Sequence, residues 1–307
     1  VNEACTGTGC DADGCNCDSD YYEIYYMTSS DEGETWDTPT LLASTISGFH
    51  QRDVAAFQDA NGDMWVFTSD GATNGNVYYY KSTDNGATWT GPTQLCDITA
   101  IHIDAIPSDG YIYITYESGG LIYVVKYDPV EDECDTPTQI SETGKHGGIP
   151  KMFEDEDGIL HVVWAGWTEH GIWHSYHNVT WSSPEKLAET PYTDCDPVMY
   201  QSGDETYWLF FAPWNEDTKS QWIEYIYSPD GSVWSLPVHL TDGGYADEYW
   251  WDMWPEVTET SEGNLVIFYT SEMSSGSYVR GDGDIWMFKA DIPLQKRVED
   301  LEQKTYI

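Results

Sequence analysis

The octapeptide "SSDEGETW" at residues 29–36 recurs as "STDNGATW" at 82–89, and "SPDGSVW" at 228–234 is a version one residue shorter. The two full copies fit S-x-D-x-G-x-T-W. In such a turn the Asp carboxylate accepts backbone N–H bonds across the chain reversal. The Gly takes a backbone conformation that a side chain forbids, and the Trp packs the turn against the sheet beneath. The residues concerned are Ser29, Asp31, Gly33 and Trp36 in the first copy, Ser82, Asp84, Gly86 and Trp89 in the second, and Asp230 and Trp234 in the third. A sentence repeated to join strands is architecture, so these positions are expected to hold the fold and not to carry chemistry.

The rest of the chain repeats around these turns. "DGILHVVWAG" at 157–166 has relatives at 61–70, 108–117, 202–211 and 261–270. Each is a Gly or Asp turn running into β-branched and aromatic residues, which predicts a strand. A further strand-like run follows each one, at 75–83, 120–128, 171–178, 222–230 and 283–291, and a sixth such run stands at 21–30. The units close on a short W…P…L strand at 35–42, 88–95, 180–187 and 233–240, with 134–140 the version lacking Trp. Trp36, Trp89, Trp181 and Trp234 follow one another at 53, 92 and 53 residues, the middle interval spanning two units.

A four-stranded antiparallel unit of roughly 40–50 residues is the mark of a β-propeller blade. The expected fold is therefore all-β. Six copies of the third strand against five of the first two predict six blades, with five as the alternative. Residues 21–292 form the propeller, 1–20 a Cys-rich acidic segment ahead of it, and 293–307 a tail. In that tail Leu294, Val298 and Leu301 fall at i, i+4 and i+7, which predicts a short C-terminal helix or the start of a stalk.

The octapeptide resembles the Asp-box of the BNR-repeat, sialidase-like propellers, and with the blade pattern the resemblance covers about residues 21 to 292. It implies a box at the rim of the propeller and a ligand site at the axis. Sialidases of this type grip the substrate carboxylate with three arginines, because Arg is a planar two-pronged donor. This chain has three in all, Arg52, Arg280 and Arg297, and Arg297 lies in the tail. The family's R-I-P motif is missing, its nearest likeness being "GIPKM" with Lys151 after the Pro. Sialidase activity itself is not expected.

Composition narrows the partners. With 54 acidic and 12 basic residues the formal charge is −42. Nucleic acid is excluded, since phosphate binding needs clustered Lys and Arg, and anionic membranes are disfavoured. A surface this acidic is suited to hard cations, which take carboxylate oxygen. The loop "CDADGCNCDSD" at 10–20 resembles extracellular calcium modules, offering Asp11, Asp13, Asp18 and Asp20 around Gly14, so Ca²⁺ is the cofactor to expect; a disulfide knot in an acidic loop is the other reading.

No run of about 20 apolar residues is present, so no membrane insertion is expected within this chain. No charged-then-apolar leader opens it, so an export signal is expected to have been removed or never present. The seven cysteines, Cys5, Cys10, Cys15, Cys17, Cys96, Cys134 and Cys195, lack a C-x-x-C pair, which favours disulfides over zinc. "NVT" at Asn178 is a glycosylation acceptor. Together these place the protein outside the cell or on its surface.

In a propeller the innermost strand of each blade lines the axial channel, and the residues at its start ring the mouth. Those starts are expected at "FHQRDVAAF" (49–57), "IHIDAI" (101–106), "KHGGIPKM" (145–152), "DCDPVM" (194–199) and "WWDMWPEV" (250–257). They bring together His50, Arg52, Asp53, His102, Asp104, His146, Lys151, Asp194, Asp196, Trp251, Asp252 and Trp254. Carboxylates and imidazoles around a channel bind a cation or a polar ligand, and an indole stacks on a sugar ring.

The expected function is a non-catalytic surface module binding a glycan or a neighbouring surface protein, or a structural subunit that assembles into a homo-oligomer or filament through the tail or the odd cysteine. The alternative is an exo-acting glycoside hydrolase using two of Asp53, Asp104, Asp196 and Asp252 on a neutral sugar.

Overall fold

The computed structural model describes residues 10–11, 14–15, 24–29, 35–42, 51–70, 75–190, 196–215, 220–241, 249–260, 263–274 and 284–289. Among these every regular element is a β-strand and none is a helix. The tail at 293–307, where a helix is expected, lies outside them, as do Asp13, Asp18, Asp20, Asp31, Gly33, His50 and Asp194. The chain divides into two units, Val1–Gly119 with Tyr123–Thr138, and Gly120–Ile122 with Gln139–Ile307.

In the first unit Gln51–Gln58, Met64–Asp70 and Gly75–Ser82 form an antiparallel run of three strands. The fourth strand, Thr90–Ser108, serves two sheets. Its first part pairs with the third strand (Tyr79↔Thr93, Lys81↔Thr90), and its second part is the first strand of the next sheet (Asp104↔Thr115, Ile106↔Tyr113). Tyr111–Ser118, Leu121–Asp128 and Glu133–Cys134 continue that sheet outward. Between the sheets Trp65, Phe67, Val77, Leu95, Ile112, Ile114 and Tyr127 make one buried cluster. Burying each large apolar side chain contributes roughly 1.5–3 kcal/mol. A disulfide joins Cys96 to Cys134 at the outer side of this pair of sheets. Tyr25–Tyr26 and Thr40–Leu41 pair as a separate two-stranded antiparallel sheet.

The second unit holds three further sheets, two antiparallel throughout and the third with one parallel pairing, Gln221 with Trp251. The first comprises Gly147–Glu154, Leu160–Gly166, Gly171–Asn178 and Glu185–Ala188. The second comprises Val198–Gln201, Tyr207–Phe211, Glu224–Ser228 and Val238–His239. The third comprises Tyr249–Glu259, Leu265–Ser274 and Asp284–Lys289. Leu160–Gly166 is buried along its whole length, which is why its sequence is a near-continuous apolar run and not an alternating one. Leu209, Phe211 and Ile226 pack toward Val163 and Ile172, while Trp208, Phe210 and Tyr225 pack toward Leu265 and Ile267, so the middle sheet is covered on both faces.

Two turn types recur. The first is the repeated octapeptide. Ser82 Oγ donates to Asp84 Oδ1 at 2.8 Å and accepts the Gly86 N–H at 2.8 Å. Asp84 accepts the Thr88 N–H at 2.8 Å and the Thr88 hydroxyl at 2.6 Å. Those Thr88 bonds hold the Asp84 carboxyl below the usual range. Gly86 has φ +83°, the left-handed region that favours glycine. Asp230 does the same work in the short copy, accepting the N–H groups of Ser232 (2.9 Å) and Val233 (3.2 Å), which lower its pKa to about 2. Both turns join a third strand to a fourth. Trp89 packs on Tyr26, ring centroids 5.9 Å apart.

The second turn joins the first and second strands; the sequence shows the turn but not the ring that its oxygen side chain holds. Asp59 accepts the N–H groups of Asn61 and Asp63 and the Trp65 indole N–H at 3.0 Å. Asp155 accepts those of Asp157 and Ile159 and faces the His161 ring at 3.0 Å. Ser202 takes the Trp208 indole N–H at 3.0 Å. In each case an oxygen side chain holds a ring six positions on.

Candidate functional site

The first strands of four sheets share a local distortion. Their pairing slips by a residue between Arg52 and Val54, between Ile101 and Ile103, between Gly148 and Lys151, and between Met253 and Glu256. The residues in the gaps have positive φ: Asp53 at 50°, His102 at 49°, Ile149 at 54° and Trp254 at 49°. Asp196, just ahead of Val198–Gln201, occupies the corresponding place in the remaining sheet. A β-bulge re-aims a side chain and is common beside binding sites. Left-handed backbone at Ile or Trp costs on the order of 1 kcal/mol and persists only where surroundings impose it.

In the first unit the bulges are tied together. Asp53 Oδ2 accepts the Ser69 hydroxyl at 3.1 Å and the backbone N–H of His102 at 2.9 Å. His102 Nδ1 lies 2.8 Å from Glu117 Oε2, and Glu117 is only 3 % exposed. A buried carboxylate on one ring nitrogen fixes the tautomer and aim of the other. Asp104 is partly buried, opposite Thr115. Glu117 went unnoticed in the sequence because nothing in "YESGG" distinguishes it from a surface acid; only the pairing of two strands brings it to His102.

In the second unit Asp196 Oδ2 accepts the backbone N–H of Trp254 at 3.4 Å, again a carboxylate bonded to the bulge of another strand. Trp254 is 55 % exposed, whereas Asp196 and Asp252 are each 7 % exposed. Burial, and then the charge of Asp252, raises the pKa of Tyr269. Lys151 and Glu256 form an ion pair from Gly147–Glu154 to Tyr249–Glu259, so the Lys151 ammonium expected to meet ligand already meets a carboxylate. The side chains of Arg52 and Trp251 are outside the described part of the structure.

His146 lies exposed just before Gly147–Glu154. Its N–H is bonded to Thr168 Oγ1 at 2.6 Å, and its carbonyl accepts the Trp167 N–H at 2.8 Å. It borders a hollow lined by Glu142, Lys145, Trp164, Glu169 and Trp173. Lys145 bridges Glu142 (2.9 Å) and Glu169 (3.2 Å) and sits over the Trp173 ring. Gly120 packs so close that a Cβ there would collide with the imidazole.

Among the described residues no group of three or more His, Cys, Asp or Glu is arranged to hold a metal ion. Of the calcium-loop residues only Asp11 is described, in a two-residue strand opposite Gly14. Asn178 is exposed and pairs with Thr180 around Val179, at a hairpin tip open to solvent.

No family model and no curated protein matches the chain. Solved structures do resemble it. A protein of unknown function from Dyadobacter fermentans superposes with TM-score 0.67 at 14 % identity, over 87 % of this chain and 83 % of that one. The endo-arabinase of Bacteroides thetaiotaomicron gives 0.53 at 14 % identity, over 79 % and 94 %. The catalytic domain of an α-L-arabinofuranosidase from Coprinopsis cinerea gives 0.54 at 14 % identity, over 80 % and 93 %. These likenesses bear on fold alone: the chain is an all-β protein of four-stranded antiparallel sheets with propeller-type structural neighbours. A sialidase-like family membership is not shown by them.

Proposed function

We propose that the protein is an extracellular or cell-surface β-propeller that binds a glycan, with Trp254 as its stacking platform. The observation that carries this is an indole more than half exposed, held in left-handed backbone at a bulge whose N–H is taken by Asp196. A strained, exposed aromatic ring is suited to the apolar face of a sugar. Its setting among innermost strands, and the sugar-acting names of two structural neighbours, support the reading. The BNR-like box then belongs to the rim, residues 21–292 to the propeller, and Asp53 and Asp196 to support and not to catalysis, since each spends an oxygen on a neighbouring bulge. Export is supported by the Cys96–Cys134 disulfide. Calcium at Asp11, Asp13, Asp18 and Asp20 and a glycan on Asn178 belong to the same proposal.

A glycan array with the intact chain tests it, repeated with Trp254→Ala. Binding that survives the substitution ends the assignment of the platform. The second reading, a glycoside hydrolase on a neutral sugar, is favoured by two buried carboxylates, Asp196 and Asp252, in one unit. Turnover of 4-nitrophenyl glycosides, abolished by Asp252→Asn, would replace the binding proposal.

A further inference from the structure

The second unit contains a row of titratable groups that the glycan platform does not use, three of them buried and the fourth, Glu185, exposed at the end of the row. Asp155 Oδ2 lies 3.0 Å from His161 Nε2, His161 Nδ1 lies 2.9 Å from His174 Nε2, and His174 Nδ1 lies 3.1 Å from Glu185 Oε1. The imidazoles are nearly parallel, 8° apart, and are 8 % and 3 % exposed. Phe153 stacks on His161 at 4.8 Å, and Tyr176 borders both rings. From the next sheet, Tyr207 donates its hydroxyl to the same Asp155 oxygen at 2.9 Å. The row thus crosses four strands and ties one sheet to its neighbour.

Proton counting fixes its charge. An ionised carboxylate only accepts, so the ring nitrogens facing Asp155 and Glu185 must each carry a proton, and the contact between the rings needs one more. Two neutral imidazoles own two ring protons; this arrangement needs three. A neutral pair would either set two bare ring nitrogens against each other at 2.9 Å or turn one toward a carboxylate at about 3 Å unless that carboxyl were protonated. Neither carboxyl favours that. Burial pushes Asp155 up, but the Ile159 N–H, His161 and Tyr207 outweigh it and leave it below the usual range. The bond from His174 holds Glu185 low as well. Two imidazolium rings fare no better, since N–H would face N–H across the central contact.

We infer that Asp155, His161, His174 and Glu185 form a one-proton store, a single imidazolium charge shared by two rings between two carboxylates, and that it makes the join between two sheets sensitive to pH on both sides. A fourth ring proton breaks the His161–His174 bond, and loss of the third sets a bare nitrogen against a carboxylate or against the bare nitrogen of the other ring. The ionisable groups facing the rings are Asp155 in its turn with Glu156 and Asp157 beside it, Glu185, Tyr176 and Tyr207.

Long-range ¹H–¹⁵N spectra of the histidine-labelled full chain test this between pH 3 and 9, with His161→Gln and His174→Gln for assignment. At pH 7 one of the four ring nitrogens should be unprotonated, with a scalar coupling across the inter-ring bond. Two bare nitrogens, or none, would overturn the inference. Should either variant fail to fold, Glu185→Gln serves. Removing that charge should lower the pH at which the third proton leaves by about one unit, a tenfold weaker hold on the proton. An unchanged midpoint overturns the store equally.

Discussion

Asp53 takes the backbone N–H of His102 at 2.9 Å on the oxygen that also accepts the Ser69 hydroxyl. The first strand of one sheet thereby sets the bulge of the first strand of the next, and the bond asks for an acceptor and not for a charge. Asp53→Asn should therefore retain most of the stability, all the more because Asn tolerates the left-handed φ of 50°. Asp53→Ala should lose about 1–3 kcal/mol, the cost of orphaning a part-buried N–H. Urea unfolding at pH 7 measures both, and equal losses would contradict the positioning role.

The repeated turn makes a second prediction. A Cβ at Gly86 would meet Met64 Sδ at 3.5 Å and Trp89 at 3.9 Å, ordinary contacts, so any penalty comes from the backbone at φ +83°. Gly86→Ala should destabilise by about 1 kcal/mol or more, and Gly86→Asn by less. A larger loss with Asn than with Ala in thermal unfolding would point to packing instead.

The disulfide closes a sequence separation of 38 residues. In the chain-entropy picture a loop of that size contributes about 4 kcal/mol. Replacing Cys96 and Cys134 together by Ser should lower the unfolding midpoint accordingly, and the wild-type chain under dithiothreitol should match the double variant. Reduction without effect on the wild type would remove the bridge from the stability account.

Acid should weaken the second unit before its carboxylates titrate. Burial, then the charge of His174, lowers the His161 pKa from 6.5 to about 4. A histidine with a depressed folded pKa is bound to fewer protons folded than unfolded within that window. Its favourable contribution is full above about pH 6.5 and is lost progressively as pH falls to about 4, on the order of 3 kcal/mol in all. Unfolding free energy measured from pH 7 to 4 should fall for the wild type and fall less for His161→Gln. Parallel slopes would clear His161 of the effect.

The strands were legible because Gly and Asp turns punctuate β-branched runs, and all six expected third strands, from the run at 21–30 to that at 283–291, contain a strand. The octapeptide was legible because one side chain, Asp84, meets partners within four positions. The bulges were not, since Asp53, His102, Ile149 and Trp254 have no chemistry in common; position in the sheet, not residue type, makes them equivalent. The imidazole row was hidden for a related reason. Val163 stands opposite His174, so His161 reaches His174 only on the diagonal, and Glu185 and Tyr207 arrive from other strands. Local turns write themselves into neighbouring letters, whereas contacts across strands are spelled by pairing.

Thr90–Ser108 belongs to two sheets at once, with no hinge between its halves. The seam between these repeats is therefore a continuous backbone and not a linker. A cut, an insertion or the excision of one repeat at that point would tear both sheets, so the pair is expected to melt, and to have been inherited, as a single piece.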